Sequence, residues 1–150
     1  MKIYTDGAFR PTTQVGGWAW VWAPEDPWVW TSVFAGRVDE AGSANRMELT
    51  AVLHALDTVQ EAGAAGTRVQ VVSDSAYVVN GSVHVHRWRR QQWLTSRGDA
   101  VKNQDLWARF LEAHSKLRSR GTPLTLTWVK GHAGDPYNEA CDRAATRMTL

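Results

Sequence analysis

Residues 16–23, with the sequence GGWAWVWA, carry the clearest secondary-structure signal in the chain. Their tryptophans alternate with alanine and valine, which is the period of two that a β-strand imposes on its side chains. We expect a strand before this one at residues 2–8, and another after it at about 28–36, beyond a proline-bounded turn. Short connections between neighbouring strands favour an antiparallel meander.

After Ser43 the apolar residues recur at steps of three and four, which is typical of an amphipathic helix. They are Leu49, Val52, Leu53, Leu56 and Val59. A β-branched run at residues 68–72 is typical of a strand buried on both faces. Further helices are predicted at about 75–81, 84–94, 103–119 and 136–147, and a fifth strand at 124–129. The order βββαβαααβα predicts an α/β fold with a mixed five-stranded sheet, antiparallel in its first three strands and parallel afterwards, with helices on its faces.

The composition limits the class of protein. A chain of 150 residues that is 43% hydrophobic and 21% charged is expected to form one domain over 1–150. Its single cysteine excludes an intramolecular disulfide framework and indicates a reducing, cytoplasmic compartment. No apolar run approaches the roughly 20 residues of a membrane helix. Without a heptad pattern or a long apolar surface stretch, a monomer is expected.

Four carboxylates are placed where the predicted elements could bring them together. They are Asp6, Glu48, Asp74 and Asp142. Taken singly, each is explained equally well as a turn residue, a helix cap or a solvated acid. Together they would repel, because two unit charges about 4 Å apart interact with about 4 kcal/mol at an effective dielectric constant near 20. A divalent cation would remove this repulsion, and hard oxygen ligands suit Mg²⁺ or Mn²⁺.

Five sequence motifs resemble those of the type 1 ribonucleases H, in the bacterial form that carries a basic protrusion. They are YTDG at 4–7, NRMEL at 45–49, SDSAYV at 73–78, VKNQDLW at 101–107, and WVKGHAG at 128–134 followed by NEACD at 138–142. They occur in the family's order and spacing over essentially the whole chain. The resemblance implies the fold predicted above and an Mg²⁺-dependent endonuclease that cuts the RNA strand of an RNA·DNA hybrid.

The resemblance also implies roles for individual residues. Asp6, Glu48, Asp74 and Asp142 match the four catalytic, metal-binding positions, and His132 matches the catalytic histidine. Two Mg²⁺ ions are expected, with Mn²⁺ as a substitute. One would be held by Asp6, Asp142 and Asp74, and the other by Asp6, Glu48 and Asp74. The products would carry 5′-phosphate and 3′-hydroxyl ends.

Binding of the hybrid is expected at two places. Beside the acids, Gly7 and Asn45 would contact the minor groove, and Ser43 with Arg87 would contact a DNA-strand phosphate. The second place is a basic, aromatic segment that resembles the family's protrusion, and its candidate contacts are Arg87, Trp88, Arg89, Arg90, Trp93 and Lys102. From the residues alone, a solvated helix with inward-packed tryptophans explains this segment as well. Alanines at 41, 44 and 76, and an altered loop at 10–17, depart from the family pattern and put the strength of hybrid binding in question.

Two other functions stay open at this point. A nuclease or transposase of the same fold could act on DNA. A module could also bind hybrids without cutting them, which the loss of a catalytic acid would support, but all four acids are present. The tryptophans between 18 and 30 are interpreted as cross-strand packing under a helix in preference to a base-stacking platform. Trp107 and Trp128 are predicted to lie in the core. The remaining histidines are expected at the surface or its boundary: His54, His84, His86 and His114.

Overall fold

The computed structural model describes residues 1–63 and 66–150, and this part of the chain contains five strands and four helices. The strands are β1 (Lys2–Arg10), β2 (Val15–Ala23), β3 (Val33–Val38), β4 (Val69–Ser73) and β5 (Leu124–Trp128). The helices are α1 (Ala44–Glu61), α2 (Ala76–Arg90), α3 (Gln104–Ser119) and α4 (Pro136–Arg147). The strands form one sheet in the order β3-β2-β1-β4-β5. β1, β2 and β3 pair antiparallel, whereas β1, β4 and β5 pair parallel, which confirms the predicted mixed α/β sheet.

The register of the sheet places two acids side by side. Thr5 of β1 pairs with Ser73 of β4 in the parallel ladder, and each is followed by an aspartate. Because the two strands run in the same direction, Asp6 in the middle of β1 lies beside Asp74 at the edge where β4 ends. β1 begins at Lys2, which pairs with Ala23 of β2.

Helix α1 covers one face of the sheet and brings a third acid to that edge. Ser43 caps its N-terminus by accepting a hydrogen bond from the backbone N–H of Arg46. A side chain at Gly7 would collide with the backbone of Met47 and Glu48, so only glycine allows β1 to approach the first turns of α1 this closely. This close approach sets Glu48 beside Asp6.

Helix α4 packs on the other face, and its start is fixed by Asp135. The carboxylate of Asp135 caps the helix by accepting hydrogen bonds from the N–H groups of Tyr137 and Asn138. The hydroxyl of Tyr4 donates to the same carboxylate at 2.8 Å. The first turn of α4 is therefore tied to β1, two residues from Asp6.

Two predicted boundaries were wrong. The segments expected at 75–81 and 84–94 form the single helix α2, because Gly81 does not interrupt it: any side chain there would strike the ring of Trp107, so the glycine serves helix packing. The third strand begins at Val33, since residues 26–31 form a hydrogen-bonded loop. In that loop the Asp26 carboxylate accepts from the Trp28 N–H, and the Thr31 hydroxyl donates to the Trp22 carbonyl.

The tryptophans divide into buried and exposed groups. Cross-strand packing is confirmed for Trp20, which stacks on Phe34 with ring centroids 4.6 Å apart, and Trp107 is fully buried as predicted. The same interpretation is wrong for Trp28 and Trp30, which lie in the loop before β3 and are almost fully exposed. Trp128 was predicted to lie in the core and is 52% exposed, because β5 is an edge strand.

The four histidines outside the loop at 128–134 lie where they were expected. His84 is exposed, and His54, His86 and His114 are half-buried. His54 stacks on Trp18 with ring centroids 3.7 Å apart. Within the described ranges, no helix is long and apolar enough to cross a membrane.

Candidate active site

Three of the four predicted carboxylates converge at the edge of the sheet where β4 ends, beside the middle of β1. One oxygen each from Asp6, Glu48 and Asp74 lies within 4.8 Å of the other two. Asp6 is buried, and the other two are partly buried. Three hard oxygen donors at this spacing form a set that a divalent cation could hold together.

The electrostatics of this cluster disfavour a fully charged state in the protein alone. Burial, followed by the nearby charge of Asp74, raises the pKa of Asp6 to about 7. Burial and the charge of Asp6 raise the pKa of Glu48 well above its ordinary value. A cation bound among the oxygens would reverse this balance, because it attracts the charged form of every carboxylate.

One atom supports the fit of a metal ion directly. Oε2 of Glu48 is buried and has no hydrogen-bond partner among the described residues. A buried oxygen of this kind is destabilising unless something is bound to it. The donor set and this unpartnered oxygen together fit a divalent cation.

Asp142 lies beside the cluster, and its carboxylate is not among the three that converge. It is half-buried on α4, and its charge contributes to the raised pKa of Asp6. The structure thus brings together Asp6, Glu48 and Asp74, the set predicted for one of the two ions. Asp142, predicted for the other ion, stands close enough to act on Asp6 through its charge.

Two residues that the sequence analysis did not assign hold Asp74 in place. The side-chain amide of Asn138, itself buried, donates to Oδ2 of Asp74 at 3.4 Å. The indole N–H of Trp128 donates to the main-chain carbonyl of Asp74 at 3.0 Å. The sequence signal for Asn138 was its place in the first turn of α4, four residues before Asp142. Trp128 was interpreted only as a core residue, so its hydrogen bond to Asp74 was not predicted.

His132 lies in an exposed loop next to the cluster. The preceding Gly131 runs against Asp74, since an added Cβ there would lie 2.8 Å from Oδ2. His132 has a φ of 57° and Gly134 a φ of 90°, so the loop turns through two left-handed residues. A non-glycine residue in this region is uncommon and marks a backbone conformation held in place by its surroundings.

The predicted hybrid contacts surround this edge. Asn45 is exposed in the first turn of α1, while the Ser43 hydroxyl is engaged as the cap of that helix. Arg46, next to them, forms a bidentate ion pair with Asp105 at 2.8–2.9 Å, which anchors the start of α1 to α3. Gly7 lies against the backbone of Met47 and Glu48 in α1.

The basic segment presents its cations outward. Arg87, Arg89 and Arg90 lie in the last turn of α2, and Lys102 is exposed after it. Trp88 and Trp93 instead pack against the core, and the Trp88 ring meets Trp107 edge-on with centroids 5.8 Å apart. The exposed surface of this segment therefore consists of guanidinium and ammonium groups, and its tryptophans pack inward against the core.

Comparison with known proteins identifies the chain. A family model described as RNase H matches residues 1–149. The chain belongs to the ribonuclease H family. It is 45% identical to the ribonuclease H of Treponema pallidum subsp. pallidum, over 97% of this chain and 88% of that protein. It is 39% identical to that of Dinoroseobacter shibae, over 95% of this chain and 86% of that protein.

Solved structures agree with this membership. The crystal structure of LC9-RNase H1, a type 1 RNase H with the type 2 active-site motif, is 25% identical and superposes with a TM-score of 0.78 over 99% of this chain and 71% of that one. A foamy viral protease-reverse transcriptase in complex with an RNA/DNA hybrid shares the fold, with a TM-score of 0.77 at 17% identity over 99% of this chain and 20% of that one. The predicted membership in the type 1 ribonucleases H is confirmed.

Proposed function

We propose that this ribonuclease H is an endonuclease that hydrolyses the RNA strand of RNA·DNA hybrids and leaves 5′-phosphate and 3′-hydroxyl ends. The observation that carries the proposal is the convergence of Asp6, Glu48 and Asp74, with the unpartnered Oε2 of Glu48 among them, in a chain of this family. The relatives named above are ribonucleases H, which supports hybrid RNA as the substrate.

The four carboxylates would hold divalent ions, for which Mg²⁺ is the first candidate and Mn²⁺ a substitute. When bound, such ions lower the pKa of a coordinated water and stabilise the leaving oxygen of a phosphodiester. The protein keeps the ligands in position. The amide of Asn138 restrains the carboxylate of Asp74, and the N–H of Gly7 donates to Oδ1 of Asp6 at 2.9 Å.

His132 is proposed to move protons at this site. Its loop begins against Asp74 and ends at the capped start of α4, so the backbone that carries His132 is anchored beside the acids. A histidine can exchange protons near neutral pH, which suits transfer to the departing 3′ oxygen or from the attacking water.

The hybrid is proposed to lie across the acid edge and onto the basic end of α2. Gly7, Asn45 and Ser43 would face the minor groove and a DNA-strand phosphate. The second contact would be formed by the cations of Arg87, Arg89, Arg90 and Lys102, which would neutralise phosphates. Trp88 and Trp93, also predicted as contacts, would act indirectly, because they pack between this segment and the core.

The activity is tested with end-labelled RNA·DNA hybrid, duplex DNA and duplex RNA, each with Mg²⁺, with Mn²⁺ and with EDTA. We expect cleavage of only the RNA in the hybrid, abolished by EDTA and by Asp74→Asn. Cutting of duplex DNA would favour a DNA-acting nuclease of the same fold. Binding of the hybrid without cutting under either metal would contradict the proposal and favour a binding module.

The second contact is tested by its salt dependence. Replacing Arg87, Arg89 and Arg90 with alanine should raise KM for the hybrid and reduce the dependence of KM on salt, because each lost phosphate contact removes about one unit of the logarithmic salt slope. Arg68→Ala is the charge-matched control for each of the three single substitutions, since Arg68 lies before β4, away from the last turn of α2. An effect of Arg68→Ala equal to that of each single substitution would show that only the net charge matters.

A further inference from the structure

An exposed aromatic surface lies at the end of the sheet away from the acids. Trp28 and Trp30 are 88% and 95% exposed, and four neighbours are 39–50% exposed. These six residues, here called the aromatic patch, are Trp22, Trp28, Val29, Trp30, Val33 and Phe34. Trp22, Trp30 and Phe34 line one face of the sheet and Val33 points to the other, so the patch extends around the β3 edge. Exposed apolar surface of this extent on a folded domain is a sign of an interaction site.

The patch is held in a fixed shape. The Asp26 carboxylate accepts from the N–H of Trp28 at 2.9 Å, and the Asp26 carbonyl accepts from that of Val29 at 3.1 Å. The hydroxyl of Thr31 donates to the carbonyl of Trp22 at 2.8 Å, which fastens the loop to β2. A surface ordered in this way loses little conformational entropy when it binds.

A groove of about 430 Å³ opens within the patch. Its walls include Trp20, Trp22, Trp30 and Phe34, and its remaining lining residues carry only hydroxyl groups. Trp28 is not part of the groove and projects from the same loop. A hollow of this size and chemistry suits an apolar side chain the size of tryptophan.

The patch continues into an open sheet edge. β3 is the terminal strand of the sheet and pairs with β2 on one side only. An unpaired edge bearing apolar residues such as Val33 and Phe34 is a template for another strand. Two copies of one strand can pair antiparallel about a two-fold axis, so this edge is complementary to itself.

We propose that the aromatic patch and the free edge of β3 form a two-fold interface with a second copy of this chain, in which Trp28 of each copy enters the aromatic groove of the other. Burying an aromatic side chain removes about 150–250 Å² from water, so Trp28 and Trp30 supply roughly 300–500 Å². The four partly exposed members and the β3 backbone bring this area towards the roughly 800 Å² per partner of a stable interface.

Position and charge favour a second copy over nucleic acid. The loop adjoins the Lys2 end of β1, four residues or roughly 14 Å from Asp6, so a duplex seated at the acids need not touch it. Glu25 and Asp26 flank the tryptophans, and their charges oppose a phosphate backbone or an anionic membrane. The interface would leave both sets of carboxylates open. The sequence expectation of a monomer assumed that no such apolar surface existed.

The test is sedimentation velocity over about a hundredfold range of protein concentration. We expect the wild type to pass from monomer to dimer and the double variant Trp28→Ser, Trp30→Ser to stay monomeric, with dimerisation weakened about 30-fold or more. Val33→Lys should also weaken it, by placing a charge at the edge. Val83→Ser, which changes an exposed apolar residue on α2, should dimerise like the wild type.

Circular dichroism and hybrid cleavage by dilute protein verify that the double variant is folded, because none of these residues belongs to the proposed active site. A wild type that is monomeric at every concentration would overturn the proposal, as would an equal loss of dimer in Val83→Ser. Binding of a single-stranded oligonucleotide that the double variant loses and Val83→Ser keeps would assign the patch to nucleic acid and also overturn it.

Discussion

Two regions of the β1–β2 pair reverse the usual distribution of side chains. Around Asp6, in the middle of β1, three carboxylates converge, one of them buried and two partly buried. Beside Lys2 and Ala23, at one end of the pair, tryptophans are exposed to solvent. Buried charge and exposed large apolar surface are the informative exceptions in a folded protein. Each is unfavourable in the isolated chain, and under the two proposals each would be relieved by a different ligand, a cation in one case and the apolar surface of a second copy in the other.

The largest effect is expected from removing a charge in the cluster of Asp6, Glu48 and Asp74. Asp6→Asn should lower kcat for hybrid cleavage on the order of 1,000-fold or more, because the most buried acid of the converging three is lost. Asp99→Asn, at an exposed aspartate in the loop after α2, should leave kcat within about twofold of the wild type. Full activity of the Asp6 variant would remove the acids from the chemistry.

Replacing a buried tryptophan should destabilise the fold, whereas replacing an exposed one should not. Trp107→Ala should lower the free energy of unfolding by about 3–5 kcal/mol, because the ring is fully buried among α2, α3 and the sheet. Trp28→Ser should change it by less than about 0.5 kcal/mol in dilute protein. Urea denaturation measures both. A large loss in the Trp28 variant would mean that its ring supports the monomer fold.

Replacing one carboxylate of the cluster with an amide should stabilise the metal-free protein and abolish its activity. Burial raises the pKa of Glu48, so its charged form is disfavoured in the fold. Glu48→Gln should therefore raise the free energy of unfolding by about 0.5–2 kcal/mol at pH 7 without metal. Glu40→Gln, at an exposed glutamate between β3 and α1, is the control.

The gain in unfolding free energy from Glu48→Gln should depend on pH. A carboxyl group with a raised pKa in the fold favours folding at low pH and loses that contribution as the pH rises through its folded pKa, which is about 7 for Asp6. The difference between Glu48→Gln and the wild type should thus be small near pH 4 and grow towards neutral pH. A difference that shrinks over this range would mean that the acids are not destabilised by burial.

The smallest effect is expected at His54, which stacks on Trp18 of β2. Burial lowers the pKa of His54, so the fold disfavours its charged form and loses stability as the pH falls below about 6.5. His54→Phe keeps an aromatic ring and should reduce the loss of melting temperature between pH 7 and pH 5 by an amount equivalent to less than about 0.5 kcal/mol, since the ring is partly solvated. An unchanged pH profile would show that His54 is not the titrating group.

Much of the fold follows from local pattern. The alternation at residues 16–23 and the three-four spacing after Ser43 reflect burial on one face of a strand or helix. Such periodicity can be recognised from the sequence alone. The β3 boundary was wrong because Trp28 and Trp30 continue an apolar pattern into a loop. The break predicted in α2 was wrong because Gly81 accommodates the Trp107 ring, a contact between residues 26 positions apart.

The candidate site could be predicted in part for the same reason. Asp6 and Asp74 are placed at one edge by parallel strand order, and Glu48 by the pitch of α1. The support that Asn138 and Trp128 give to Asp74 depends on side-chain contacts 64 and 54 residues apart. Neither contact leaves a periodic signal in the sequence.

The central claim is that a divalent cation relieves the charge buried at Asp6, Glu48 and Asp74. The most direct measurement is the melting temperature of the wild type and of Asp6→Asn at neutral pH as Mg²⁺ is added. A ligand that binds only the folded state raises stability in proportion to the logarithm of its concentration above Kd. We predict a rise for the wild type and a much smaller one for the variant. An equal response of the two proteins would contradict the account.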